Sequence, residues 1–255
     1  MQSIAGKRAF VSGATSGIGE ACARRLAEAG CDLILHGRSR ERLEALSKRL
    51  SAYGVGIAAV VFDVRDRKAA ASEMAALLAG CEIDILINNA GLALELTPID
   101  AGDIDAWEEM IDVNVKGLLY ISRAVIPQMR SRNRGHILNI GSIAGKMTYP
   151  GGNVYCATKA AVHALGEAMN VDLQGSAVRA GTIAPGAVET NFSVTRFSGD
   201  RAKADAVYEG YDPLTAEDIA DLALYILQAP PHVNIQDVLI MPTAQRNPYV
   251  LSRNG

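Results

Sequence analysis

Short apolar runs alternate along most of the chain with longer stretches in which apolar residues recur every three or four positions. The short runs are Arg8–Ser12, Asp32–His36, Gly56–Phe62, Ile83–Asn88, His136–Ile140, Ala177–Ile183 and Val238–Met241, all of strand length. Helical spacing covers Gly17–Gly30, Arg40–Tyr53, Arg67–Leu78, Ile104–Met129, Val154–Leu173 and Ala216–Gln228. Strand followed by helix, repeated this often, predicts parallel pairing through right-handed crossovers, with helices on both faces of the sheet. A doubly wound α/β sheet of this kind binds ligands beyond the carboxyl ends of its strands. At 255 residues the pattern fits one domain over 1–255, and no repeat or low-complexity linker divides it. Two segments depart from the alternation. Residues 191–213 are polar, carry Gly199, Gly210 and Pro213, and separate a strand from a helix. They are expected to form a substrate lid, with a mobile surface loop as the alternative. A tail follows at about 242–255.

The first apolar run opens into Ser12–Gly13–Ala14–Thr15–Ser16–Gly17–Ile18–Gly19, which leads into an alanine-rich helix. Small residues let a backbone approach a pyrophosphate, and a helix N-terminus offers free N–H groups and a positive dipole end. Position between a first strand and a first helix lifts this run above an ordinary tight turn. The second run decides which dinucleotide fits. NAD sites place an acid at its end to hold the ribose hydroxyls, whereas this chain reads Leu35–His36–Gly37–Arg38–Ser39–Arg40. Asp32 lies at the wrong end of the strand. Arg38 is expected to pair with a 2′-phosphate and Ser39 to add a hydroxyl bond, which selects NADP(H). The competing reading makes Arg38 only the start of a solvated helix.

Tyr155 and Lys159 are four apart at the head of a helical stretch, so both side chains share one face. A phenol titrates near pH 10, and a neighbouring ammonium is expected to lower that value toward working pH. Tyr-x-x-x-Lys alone is common and uninformative. Here the His136–Ile140 run delivers Gly141–Ser142 toward the same crevice, where the Ser142 hydroxyl can hold a reacting oxygen. Asn114 is a polar residue inside an otherwise apolar helix, read either as a satisfied amide or as the holder of a proton-relay water.

Together these residues make the chain similar to the short-chain dehydrogenase/reductase family over nearly its whole length. The resemblance rests on the Ser12–Gly19 turn, Asp63–Val64, Asn88–Asn89–Ala90–Gly91, Asn114, Ser142, Tyr155, Lys159 and Pro185–Gly186. It implies a Rossmann-like fold with Gly13, Thr15, Ser16, Gly17, Ile18 and Gly19 at the pyrophosphate. It places Asp63 and Val64 beside the adenine, and Asn89, Ala90 and Gly91 along the cofactor. Pro185, Gly186, Val188 and Thr190 would lie near the nicotinamide, and Lys159 would also bind its ribose. Ser12 stands where the family usually has threonine, and Thr182 and Ala184 alter the strand before Pro185. A narrower resemblance, over Asn88–Leu94, Gly151–Tyr155, Thr195–Gly199 and His232–Pro242, is to NADP-dependent 3-hydroxy acid dehydrogenases acting on serine and allo-threonine. Sulfoacetaldehyde reductases look like neighbours of that subgroup. Tyr155 would then be the acid/base, Ser142 would position the oxygen, Lys159 would lower the phenol's pKa and Asn114 would support the proton relay. Such substrates are short and anionic. Arg196 in the expected lid is the candidate partner for their charge, the plain alternative being an exposed arginine. Members of the family usually form homotetramers, here through the two longest helical stretches. A rival outside enzymology, a regulator that senses NADP(H), would not need the full set of Asn114, Ser142, Tyr155 and Lys159. A broad carbonyl or steroid reductase would want a larger apolar pocket than the arginine-bearing segment from Asn191 offers.

Net charge of −3 gives no field for nucleic acid or an anionic membrane, and Arg130–Ser131–Arg132–Asn133–Arg134 reads as a solvated loop. No apolar run approaches the roughly 20 residues of a bilayer span. Four scattered cysteines without a CxxC pair and a start unlike a signal peptide lead us to expect a cytoplasmic protein. His36, His136, His163 and His232 lack metal-ligand spacing and are expected to be structural.

Overall fold

All seven apolar runs become strands in the computed structural model, which describes residues 1–253. The last two positions of the expected 242–255 tail lie outside the described residues. The strands are β1 (Arg8–Val11), β2 (Asp32–Gly37), β3 (Ile57–Val61), β4 (Ile85–Asn88), β5 (Gly135–Ile140), β6 (Val178–Pro185) and β7 (Asp237–Ile240). They pair in the order β3-β2-β1-β4-β5-β6-β7, parallel throughout. The chain winds outward in one direction from β1 and in the other from β4. Loops leaving these two strands therefore diverge and open a crevice at the sheet's carboxyl edge.

Alternation along each central strand builds two cores, one per face. Phe10, Ile34, Leu86 and Ile137 pack with Met74 of α3 (Arg67–Gly80), Met110 of α4 (Ile104–Ile111), and Ile121, Val125 and Met129 of α5 (Leu118–Ser131). α6 (Asn153–Asp172) closes the same face through Cys156 and Val162. Their neighbours Val11, Leu33, Leu35, Ile85 and Ile87 point the other way. They meet Leu26 of α1 (Gly17–Glu28), Leu43 and Leu46 of α2 (Arg40–Leu50), and Ile219 and Ile226 of the C-terminal helix (Ala216–Leu227).

Several expectations are corrected. The single helix expected over Ile104–Met129 is interrupted by a π-helical turn at Asp112–Gly117. Gly117 packs there against Val64, where a Cβ would fall 2.8 Å from its side chain. Such a bulge, with its one extra residue per turn, turns Asn114 out of the helical pattern. The stretch Arg40–Tyr53 is helical only to Leu50; a 3₁₀ turn at Ser51–Tyr53 follows and ends at Gly54, whose φ is +73°. Residues 191–213 are not loop throughout. They contain α7 (Asn191–Arg196) and α8 (Arg201–Ala206), capped by Thr190 and Asp200, whose side chains accept from the N–H groups of Phe192 and Lys203. The helix Ala216–Leu227 is therefore α9. Nor is the Arg130–Arg134 run simply solvated. The half-buried Arg132 donates to the Ile83 carbonyl, to Asp84 at 2.9 Å and to Glu82 at 3.1 Å, tying the end of α5 to the start of β4. No helix among the described residues is long and apolar enough to cross a membrane.

Candidate active site

β1 and β4 are stitched together at the crevice by Ser12. Its hydroxyl accepts from the N–H groups of Asn89 (2.9 Å) and Ala90 (3.0 Å) and donates to the Ile87 carbonyl at 3.3 Å. Serine thus serves fully where threonine was expected. Gly13 and Gly17 take φ of +64° and +54°, a region L side chains avoid. The Asn89 amide donates to the carbonyls of Ser12 and Gly13 and fixes the turn between them. Ser16 is the N-cap of α1 yet makes no side-chain cap bond, so the first N–H groups of the helix are left for an anion.

A cleft of about 340 Å³ runs from this turn to Tyr155. Gly13, Thr15, Ser16, Gly17, Ile18, Arg38, Asp63, Val64, Asn89, Ala90, Gly91, Pro185, Gly186, Val188 and Thr190 all line it. Two members of the expected set do not. A Cβ at Gly19 would lie 2.3 Å from the Gly13 carbonyl oxygen and 2.4 Å from the Asn89 amide nitrogen, so Gly19 lets α1 pack on the turn. Ser39 is the N-cap of α2, its hydroxyl accepting from Arg42 N–H at 3.3 Å. The second cation at the cleft is Arg42 itself, one helical turn beyond Arg38. That i, i+4 spacing was the available signal. His36 also lines the cleft as a brace. Its Nδ1 receives the Gly13 N–H at 3.4 Å, and its Nε2 lies 3.1 Å from the Phe62 carbonyl.

At the far end β5 delivers Ser142 and α6 delivers Tyr155 and Lys159. Tyr155 is buried, with its ring 5.7 Å from that of Phe192. Burial raises its phenol above the usual tyrosine value, while Arg196 and the Ser142 hydroxyl pull it back. Lys159, expected to lower it, is not among the groups that shift it. The Lys159 ammonium donates to the Ile140 carbonyl at 2.8 Å, and burial lowers its pKa to about 8. An ammonium has three donors, so two are left for another partner. Asn114 is a satisfied amide. It accepts from Leu92 N–H and donates to the Leu92 carbonyl, both at 2.8 Å, and to Thr158 at 3.0 Å. Those bonds engage both amide N–H groups and one lone pair of Oδ1, so Asn114 braces the wall beside Gly91.

Arg196, at the end of α7, places its guanidinium carbon 5.2 Å from the centre of the Tyr155 ring and 5.3 Å from that of Phe192. It donates to the Tyr149 hydroxyl at 3.2 Å, and its buried Nε has no partner. The chain beyond β7 folds back over this end. The Gln245 side chain accepts from Ala187 N–H at 2.9 Å, and the Tyr249 hydroxyl donates to the Thr148 carbonyl. Arg253 donates to the carbonyls of Ala206, Val207 and Glu209 at the end of α8 and lies 5.5 Å over the Tyr211 ring. Tyr149 and Gln245 were not foreseen, because nothing local marks either residue.

Tyr155 can exchange one proton with a bound molecule, and alcohol–carbonyl interconversion also requires a hydride. The cleft that reaches Tyr155 begins at a helix N-terminus prepared for pyrophosphate, which defines a nicotinamide-dependent oxidoreductase. The chain belongs to the short chain dehydrogenase family, whose model matches residues 7–201. It is 49% identical over 238 residues to the NADP-dependent 3-hydroxy acid dehydrogenase YdfG of Salmonella typhi, covering 92% of this chain and 95% of that protein. Sulfoacetaldehyde reductase 2 of Chromohalobacter salexigens is 45% identical over the same length, covering 92% of this chain and 94% of that protein. Among solved structures, the closed form of a serine dehydrogenase complexed with NADP+ superposes with a TM-score of 0.89 at 42% identity, over 97% of this chain and 100% of that one.

Proposed function

We propose that this enzyme is an NADP(H)-dependent oxidoreductase that interconverts a short hydroxy acid, of the 3-hydroxy acid, serine or allo-threonine type, with its carbonyl form. The residues fit the cofactor. The uncapped start of α1 meets the pyrophosphate, Arg38 and Arg42 meet the 2′-phosphate, and the free donors of Lys159 meet the nicotinamide ribose. NADPH, when bound, supplies the hydride. In reduction the Tyr155 hydroxyl gives its proton to the carbonyl oxygen and becomes a phenolate, and in oxidation that phenolate takes the alcohol proton back. Ser142 holds that oxygen beside the phenol, and Asn114 keeps the Leu92 wall in place. Burial favours the protonated phenol, the form that reduction requires.

The observation that carries the substrate class is the Arg196 guanidinium. It lies against the Tyr155 ring with its Nε buried and unpartnered, and no carboxylate pairs with it among the described residues. A half-buried cation with an unpartnered Nε at the reacting group calls for an anion on the substrate. Arg196→Ala should raise KM for a 3-hydroxy acid or for sulfoacetaldehyde by roughly tenfold or more, the worth of a bond to a charged group, and spare a neutral aldehyde of similar size. Equal effects on both would show that Arg196 only shapes the lid. A sulfonated aldehyde is the second reading, and the same guanidinium would receive its sulfonate. Assembly as a homotetramer is supported by Ile104, Ile111 and Leu119, exposed along the α4–α5 stretch, and by Val171 on α6. A cytoplasmic setting suits the four free cysteines.

A further inference from the structure

Beneath the turn that carries Ser142, side chains from three elements meet around one imidazole. β5 ends at Ile140, and a single 3₁₀ turn at Ile143–Gly145 follows Ser142. His163 of α6 packs against this turn. A Cβ at Gly141 would fall 2.8 Å from its Nε2, and one at Gly145 would fall 2.6 Å from its Cδ2. Nε2 is 3.1 Å from the main-chain oxygen of Ser142. A carbonyl oxygen only accepts, so Nε2 carries a proton and donates it. The same oxygen accepts from Gly145 N–H at 3.0 Å, which engages both of its lone pairs. The other ring nitrogen, Nδ1, lies 3.7 Å from one carboxylate oxygen of Asp237 on β7. The second oxygen of Asp237 pairs with Lys146, which directly follows the 3₁₀ turn. Burial sets His163 below the ordinary histidine value, with Lys146 and Lys159 acting in the same direction and the Ser142 carbonyl and Asp237 opposing.

We infer that His163 is a positioning residue for Ser142. Its Nε2–H fixes the backbone from which the Ser142 hydroxyl faces Tyr155, and the Lys146–Asp237 pair holds the ring in that orientation. This rests on the reading of Ser142 as the group that holds the reacting oxygen. The Ser142 side chain cannot correct a misplaced turn, because its hydroxyl already accepts from Ala144 N–H at 3.1 Å and moves with it. Catalytic groups tolerate little of this, since a displacement of about 1 Å costs up to about a hundredfold in rate.

A packing role would be met by any side chain of similar bulk, whereas a positioning role needs the donor. His163→Gln keeps an N–H close to the place of Nε2, and His163→Leu fills the space without one. The measurements are kcat and KM with a carbonyl substrate, the Kd for NADPH by fluorescence titration, and deuterium exchange over residues 141–147. His163→Leu should lose about tenfold or more in kcat while its NADPH Kd stays within about twofold, and residues 141–147 should exchange faster. His163→Gln should recover most of both, and Asp237→Ala should show a smaller loss in the same direction. Should the leucine variant fail to fold, His163→Met supplies the donor-free side chain. Leucine and glutamine variants that behave alike, whether both active or both impaired, overturn the inference. Full activity in Ser142→Ala would instead overturn the reading of Ser142, and the exchange of residues 141–147 in the two His163 variants would still decide whether the bond holds the turn.

Discussion

His136 offers a sharp test of how burial controls stability here. The ring sits in β5 only 4% exposed, and neither nitrogen has a hydrogen-bond partner. Burial, with smaller contributions from Arg179 and Lys7, pushes its pKa down to about 3. The unfolded chain takes up a proton near 6.5, so between 6.5 and about 3 the unfolded state binds more protons than the folded one. The folded-state pKa is depressed. The stabilisation from keeping His136 neutral is therefore complete above 6.5 and is lost as pH falls. At pH about 4.5, two units below the unfolded value, the loss is about 2.7 kcal/mol at 1.36 kcal/mol per unit. His36, pushed to about 4 chiefly by burial against the pull of the Phe62 carbonyl and Asp63, follows the same sign. Two such losses are a large share of a total stability of about 5–15 kcal/mol. His136→Leu removes one of them and also removes an orphaned polar ring, whose burial costs about 1–3 kcal/mol. Urea unfolding followed by circular dichroism, at one protein concentration, would compare variant and wild type. The variant should be at least as stable at neutrality, and it should lose about 2.7 kcal/mol less than wild type on going down to pH about 4.5. Parallel stability curves for the two proteins would refute the reasoning.

Tyr155→Phe should abolish turnover and leave NADPH affinity nearly unchanged, since the phenol proton serves the reaction and not the dinucleotide; kcat above about a tenth of wild type would sink the assignment. Arg38→Asp should weaken NADPH binding far more than NADH binding, because it sets a like charge beside the 2′-phosphate, and adding Arg42→Ala should deepen the difference. Equal changes in the two KM values would make both arginines bystanders. Light scattering should find four times the 27.0 kDa subunit mass, and a 27.0 kDa species at roughly micromolar concentration would contradict the tetramer.

The architecture was legible because its signals are periodic. Every strand buried on both faces reads as an apolar run, and every helix that covers the sheet carries an apolar stripe. What escaped were places where one long-range contact overrides a local pattern. The π turn at Asp112–Gly117 sits where Gly117 meets Val64 and Asn114 meets Leu92, partners remote in sequence. Ser39 was legible as a possible ligand, yet its own position ahead of Arg40–Leu50 makes it the cap of α2, the stronger local demand on a serine hydroxyl. The same logic was available at Thr190 and Asp200, which announce α7 and α8. Along the cleft the Ser12–Gly19 turn and Arg38 were legible from their places after β1 and β2, whereas Asp63, Val64, Asn89–Gly91 and the Pro185–Thr190 wall came from the family resemblance. Arg42, Tyr149 and Gln245 were hidden for different reasons. The first needed helix geometry, and the other two reach the site only because loops far apart in sequence converge there.

The tail beyond β7 alters how the α7–α8 segment can open. Gln245, Tyr249 and Arg253 attach it to the Ala187 backbone, to the Thr148 loop and to the carbonyls of Ala206 and Glu209 at and just beyond the end of α8. Only Ser193 and Ala204 of the two short helices are fully buried, and Phe192 is their main apolar contact, packed against the core and the Tyr155 ring. Their resistance to local unfolding is therefore shared between the Phe192 packing, the Ser193–Tyr208 hydroxyl bond and the tail. These contacts predict that the two segments open together as one cooperative unit, a foldon. The free energy of that opening would belong jointly to the α7–α8 segment and to a stretch of chain more than thirty positions beyond it, and neither would set it alone.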